Sequence, residues 1–156
     1  MAITLRNLQT KANLNLSQIL KIAKTILRQE GVSDANLSIV FATRQRITVL
    51  NKKYLHRNRA TDVLAFDMGR PASGADKSFR KKTALEGEIV ISTDAAFKNT
   101  KIFATTPAHE LTLYIIHGIL HLLGWDDHHL RGIKKMRQRE QEILDFLGTK
   151  AEKVLR

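Results

Sequence analysis

The 156-residue sequence contains no cysteine, no hydrophobic run long enough to cross a membrane and fewer acidic than basic residues. The absence of cysteine excludes disulfide bonds and thiolate metal sites, so any metal ion must be bound by histidine and carboxylate side chains. The longest apolar run, residues 111–123, includes two histidines and is too short for a bilayer. The N-terminal segment lacks the apolar core of a signal peptide, and we expect a cytoplasmic protein without membrane association.

Basic residues dominate the charge of the chain. Lysine and arginine total 26 against 15 aspartates and glutamates, which gives a net charge of +11. This excess favours a polyanionic partner, because cationic side chains release counterions from phosphates on binding, and it predicts nucleic acid. The alternative is a solvated basic surface without a partner.

The length and the apolar content of 43% predict one globular domain over residues 1–156, with a frayed tail at 149–156. Hydrophobic periodicity predicts strands at 2–8, 37–42, 62–66 and 88–92, and helices at 16–30, 44–54, 93–103, 107–123 and 130–147. Because the order is not a strict alternation of strand and helix, we expect a mixed sheet with helices packed on it.

Two histidines lie one turn apart in the apolar helix. His117 and His121 are four residues apart and therefore share a face. The helix is apolar around almost its whole circumference, which indicates burial. An unpaired buried polar group costs about 1–3 kcal/mol, and one divalent metal ion bound by both rings removes that cost. Alternatively, each ring is satisfied by a backbone carbonyl or an acidic side chain.

The residues after this helix can complete a metal site. Gly124 allows the chain to reverse, so Asp127 or His128 can supply a third ligand. Three protein ligands leave one position for water, as in catalytic zinc sites, where the pKa of the bound water falls to about 7. Gly118 stands where zinc peptidases of the H-E-x-x-H type carry their glutamate base. This disfavours a peptidase, and the net charge favours a phosphodiester substrate.

The run HGILHLLGWDDH resembles the signature of the YbeY family of bacterial metallo-endoribonucleases. RATDVLAF at 59–66 and LEGEIVIS at 85–92 are similar to two further motifs of that family, commonly K-P-T-D-V-L-S-F and G-D-I-V-I-S, in the same order. The resemblance covers most of the chain. It implies an α+β fold, with a mixed four-stranded sheet, packed helices and a central buried helix that bears the metal.

The same resemblance implies a function. It is that of a zinc-dependent, single-strand-specific endoribonuclease with one Zn²⁺ per chain. The implied role is maturation of the 3′ end of small-subunit ribosomal RNA and ribosome quality control, with the small ribosomal subunit and its assembly factors as partners.

The metal ligands are carried over from the family pattern H-x3-H-x5-H. The first two positions match His117 and His121. The third position falls on Asp127, with His128 one residue later. His128 is favoured because it keeps a three-histidine set, and Asp127 is the alternative.

The family's arginine before the T-D-V-L motif is replaced here, because the position holds Leu55. His56, Arg57 or Arg59 is therefore expected to supply positive charge to the phosphate. The expected catalytic residues are Arg57 and Arg59 together with His117 and His121. Asp62 and Glu88 are candidates to orient a ligand histidine.

Two other functions stay open. One is a metal-stabilised, non-catalytic factor that binds RNA during ribosome assembly. The other is a zinc peptidase-like hydrolase. An open coordination position speaks against the first, and Gly118 speaks against the second. Tyr54 and Trp125 are the candidates for stacking on bases, and the basic residues of 131–139 are candidates for an RNA groove.

Overall fold

The computed structural model describes residues 1–55, 62–69, 84–125 and 128–156. The strands and helices in these ranges are, in chain order, β1 (Ala2–Asn7), α1 (Leu16–Gln29), β2 (Asp34–Ala42), α2 (Arg44–Leu55), β3 (Val63–Asp67), β4 (Ala84–Ser92), α3 (Thr93–Phe103), α4 (Pro107–Leu122), α5 (Leu130–Leu147) and a C-terminal 3₁₀ helix (Gly148–Val154). No helix in the described part of the chain is long and apolar enough to span a bilayer.

The four strands form one mixed sheet in the order β1-β2-β4-β3. β1, β2 and β4 run parallel, and β3 pairs antiparallel with β4. The predicted α+β class with a mixed four-stranded sheet is confirmed. β2 and β4 begin three and four residues earlier than predicted, because their first halves alternate exposed and buried residues and only their second halves are continuously buried.

The two faces of the sheet carry different helices. Ile39 and Ile89 belong to the larger core, which β2 and β4 form with α1, α4 and α5. Val40 and Val90, on the opposite face of the same strands, pack with Ile47 of α2 in a smaller core. This division follows from the alternation of side chains along a strand.

The helix that carries the two histidines has well-defined ends. The Thr106 hydroxyl accepts a hydrogen bond from the backbone N–H of His109 at 3.1 Å, and Pro107 occupies the first turn, where its missing N–H costs nothing. Gly124 follows the last turn with a φ of 95°, a backbone conformation that favours glycine. α4 packs against β3, β4, α1, α3 and α5, so it is the central buried helix that was predicted.

The predicted frayed tail was wrong. Ala151 and Val154 in the C-terminal 3₁₀ helix are buried in the larger core. The Thr112 hydroxyl of α4 donates to the carbonyl of Ala151 at 2.9 Å, and the N–H of Asn15 donates to the carbonyl of Val154 at 2.8 Å. The segment is too short to show helical periodicity in the sequence, and its order comes from these contacts with distant residues.

Candidate active site

A pocket of about 310 Å³ opens between β3, α4 and α5. The described residues that line it are Asp62, Val63, Ala65, Leu113, Tyr114, His117, His121 and Glu140. α4 contributes residues of one face, spaced by three or four positions, while β3 contributes alternate residues. The periodicity of α4 thus brings a phenol and two imidazoles to the cavity, and Asp62 before β3 and Glu140 of α5 add two carboxylates.

The two helical histidines meet at the pocket. Nε2 of His121 lies 3.0 Å from Nε2 of His117, and the two rings are nearly perpendicular, at 81°. The side chain of His117 remains about one-third exposed, so its ring is accessible from the pocket. The predicted shared face is therefore present, and the same nitrogen of each ring points to a common position.

Glu140 of α5 determines which nitrogen of His117 carries hydrogen. Its Oε1 lies 2.6 Å from Nδ1 of His117, and the glutamate side chain is only 11% exposed. A carboxylate only accepts hydrogen bonds, so Nδ1 is the donor, and in the neutral imidazole Nε2 then carries the lone pair. Nε2 of His117 is then the acceptor toward His121 and the nitrogen suited to bind a metal ion.

The donor set fits a divalent cation at this position. Ligands at 2.0–2.1 Å in a tetrahedral site are about 3.3 Å apart, close to the observed separation of the two Nε2 atoms. In residues 1–55, 62–69, 84–125 and 128–156, no three His, Cys, Asp or Glu side chains are grouped so that they could hold a metal ion. His128 is exposed and does not join such a group, and Asp127 lies outside the described residues.

A second polar network includes two other residues of the pocket lining, Asp62 and Tyr114. Nδ2 of Asn99 in α3 lies 3.2 Å from Oδ2 of Asp62 and 2.5 Å from the hydroxyl of Tyr114. Burial, and next the charge of Asp62, raise the pKa of Tyr114 well above its ordinary value. The phenol therefore stays protonated. The acidic residue that the described contacts bring to His117 is Glu140, which the sequence interpretation did not select.

The basic candidates have different positions. Arg57 and Arg59 lie outside the described residues. Arg139 donates from Nε to Glu30 at 2.6 Å and from Nη1 to Glu142 at 2.8 Å. Its side chain therefore joins α5 to the end of α1 instead of forming part of an RNA groove. Burial opposes this charge, but the hydrogen bonds to both glutamates prevail and raise the pKa of Arg139.

The aromatic candidates for base stacking differ in exposure. Tyr54 is 54% exposed, with its ring 5.7 Å from that of Phe66 and the ammonium of Lys53 at 5.2 Å. Trp125 is partly buried against the larger core. Tyr54 is therefore the more accessible of the two.

The sequence interpretation missed Glu140, Asn99 and Tyr114. Glu140 lies on the buried stripe of α5, between Met136 and Ile143, and a glutamate on an apolar stripe was a signal that could have been used. Asn99 gave no such signal, because only the packing of α3 on α4 brings it to Tyr114.

Comparison with known proteins identifies similar chains. The family described as Endoribonuclease YbeY matches residues 4–148. A chain named Endoribonuclease YbeY from Sulfurovum sp. (strain NBC37-1) is 32% identical over 151 residues, which cover 95% of this chain and 92% of the relative. A chain of the same name from Salinibacter ruber is 33% identical over 127 residues, which cover 80% and 78%.

A solved structure is also similar. The solution structure of TM1509 from Thermotoga maritima superposes with a TM-score of 0.55, over 92% of this chain and 90% of that chain. The sequence identity is 20%, so this likeness concerns the fold.

Proposed function

The chain belongs to the YbeY family, and from that membership we propose that it is a zinc-dependent endoribonuclease that cleaves single-stranded RNA in the pocket between β3, α4 and α5. The observation that carries this proposal is the convergence of the two Nε2 atoms at 3.0 Å in a pocket that is open to solvent. The names of the relatives support RNA as the substrate, and the net charge of +11 supports a polyanion.

His117 and His121 would hold the zinc ion, with Asp127 or His128 as the third ligand. Zinc at this place would supply Lewis acidity to a phosphoryl oxygen. Glu140 keeps Nε2 of His117 free of hydrogen and so presents its lone pair. Arg57 and Arg59 precede β3, and we propose that they bind the negative charge of the reacting phosphate.

The finer role is proposed from the family resemblance. The RNA would be the 3′ region of small-subunit ribosomal RNA, cleaved in the cytoplasm during maturation and quality control of the ribosome. The small ribosomal subunit and its assembly factors would be the partners. One domain over residues 1–156 would contain the whole site.

Cleavage of a labelled single-stranded RNA by zinc-loaded protein tests the proposal. We expect wild-type protein to bind one zinc ion and to cleave, and His117→Ala to lose both properties. Asp127→Ala and His128→Ala are the matched pair for the third ligand, of which one should lose zinc and the other keep it. Zinc binding without cleavage by wild-type protein would instead favour a non-catalytic RNA-binding factor, and cleavage that persists in His117→Ala would contradict the assigned site.

A further inference from the structure

Asp62 lines the pocket from the position directly before β3 and is held in place by other elements. Its Oδ2 lies 3.2 Å from Nδ2 of Asn99 in α3. Its backbone carbonyl accepts a hydrogen bond from the N–H of Ser92 at 2.9 Å, at the junction of β4 and α3. Both the main chain and the side chain of Asp62 are thus fixed relative to the same pocket that His117 and His121 line.

Asn99 and Tyr114 orient this carboxylate together. A carboxylate only accepts hydrogen bonds, so the amide group that faces Asp62 is the NH₂ of Asn99. The same NH₂ donates its second hydrogen to the Tyr114 hydroxyl, at 2.5 Å. Because the phenol stays protonated, its own hydrogen is available to Asp62, so Asn99 and Tyr114 can both donate to a carboxylate that lines the pocket.

A fixed carboxylate is selective among the groups of an RNA strand. Phosphate oxygens are anionic acceptors and are repelled by it. The donors that RNA offers are the 2′-hydroxyl and the N–H groups of the bases. Base donors change with sequence, whereas a 2′-hydroxyl lies beside every phosphodiester that an endoribonuclease can cleave.

The second carboxylate among the described lining residues is already engaged. Glu140 binds Nδ1 of His117 at 2.6 Å, so its contact serves the imidazole rather than the substrate. Asp62 is therefore the carboxylate of the described pocket that remains available to a ligand next to the two imidazoles.

We propose that Asp62 accepts a hydrogen bond from the 2′-hydroxyl on the 5′ side of the scissile phosphate and thereby selects RNA over DNA. Asn99 and Tyr114 are positioning residues that hold its carboxylate. This inference rests on the proposed function, since it takes RNA cleavage at the histidine pair as given.

The test compares two oligonucleotides that differ by one oxygen atom. Wild-type zinc-loaded protein first cleaves a single-stranded RNA, and the cleavage site is mapped. A twin oligonucleotide then carries 2′-deoxyribose at the nucleotide 5′ of that site. The readout is the concentration of each twin that displaces a fluorescent single-stranded DNA from the protein within seconds of mixing, before cleavage contributes.

We expect the RNA to bind wild-type protein about 10- to 100-fold more tightly than its deoxy twin, as for a hydrogen bond to a charged group. In Asp62→Ala and Asp62→Asn the ratio of the affinity for the RNA to the affinity for its deoxy twin should fall. In the alanine variant it should be about 3-fold or less. Asp67→Asn, at the other end of β3 and outside the pocket lining, is the matched control and should keep the wild-type ratio.

The two positioning residues have their own readout. Tyr114→Phe and Asn99→Leu should lower the ratio part of the way while zinc binding stays at the wild-type level, which a general loss of structure would not produce. A wild-type ratio near one, or an unchanged ratio in both Asp62 variants of a protein that cleaves RNA, would overturn the assignment and leave the proposed function standing. Absence of RNA cleavage by wild-type protein would overturn both.

Discussion

At the scale of single residues, the side chain of Glu140 fixes the tautomer of His117. Its removal should weaken zinc binding without removing a ligand, because the amide of Glu140→Gln can present either a donor or an acceptor to Nδ1. We expect zinc affinity to fall about 10- to 100-fold, as for other groups that orient a ligand histidine. Competition with a chromogenic chelator measures it.

Glu142→Gln provides the control for this prediction. Glu142 lies on the same helix, is about half exposed and pairs with Arg139 rather than with a histidine. The Glu142→Gln variant should bind zinc with the same affinity as the wild-type protein. Equal affinities for the Glu140 and Glu142 variants would show that the contact with Nδ1 does not prepare His117 for a metal ion.

Gly118 brings α4 close to the sheet. A Cβ at this position would lie 2.7 Å from Cγ2 and 3.0 Å from Cδ1 of Ile89, a fully buried residue of β4. Gly118→Ala gains about 1 kcal/mol of helix propensity but adds overpacking that costs about 1–3 kcal/mol, so we expect a net loss of folding free energy. Urea denaturation measures it, and the penalty should disappear in an Ile89→Ala background.

Residues whose relation is local could be predicted from the sequence, and residues brought together by packing could not. The shared face of His117 and His121 follows from a spacing of four, and the end of α4 follows from Gly124. Glu140 is 23 positions from His117, and its contact depends on how α5 packs on α4. No periodicity of either helix contains that information.

At the scale of elements, α2 carries arginines and lysines but no acidic residue, and its last turn is basic through Lys52 and Lys53. Tyr54 at this end contacts Phe66 of β3, the strand whose Val63 and Ala65 line the pocket. The basic end of α2 therefore lies beside the pocket strand. Single-stranded RNA that leaves the pocket can reach the basic end of α2 by crossing the edge of β3.

Substitution of both lysines tests this path. The double variant Lys52→Gln/Lys53→Gln should bind RNA more weakly and reduce the slope of log affinity against log salt by about 1.4, since each phosphate contact contributes about 0.7 for single strands. Lys21→Gln/Lys24→Gln in α1 removes the same charge. Because α1 packs on β1, at the opposite edge of the sheet, that control should keep the wild-type slope, and equal slopes for both variants would exclude the path.

The C-terminal 3₁₀ helix is the element that the sequence interpretation assigned incorrectly, and its packing has a measurable consequence. Val154 is fully buried, and Val154→Ala removes two methyl groups from the larger core. We expect a loss of about 2 kcal/mol in the free energy of unfolding, measured by urea denaturation. The exposed neighbour Lys153 offers the control Lys153→Ala, which should change stability by about 0.5 kcal/mol or less. A similar small effect for both would indicate that the segment is frayed in solution.

At the scale of the whole molecule, the proposed zinc site joins α4 to the segment that leads into α5, so zinc binding should stabilise the fold. A ligand that binds only the folded state at 100 times its dissociation constant adds about 2.7 kcal/mol, which corresponds to a rise of about 5–10 °C in Tm for a chain of this length. The six histidines of the unfolded chain also bind zinc weakly, which places the expected rise toward the lower end of that range.

Differential scanning calorimetry with zinc, with magnesium and with a chelator measures the effect, and only zinc should raise Tm. His117→Ala should melt at one temperature under all three conditions, because the loss of one imidazole leaves His121 without the nitrogen that it faces at 3.0 Å. A Tm of the wild-type protein that is insensitive to zinc would mean that the two rings satisfy each other across that distance, and that the pocket is not a metal site.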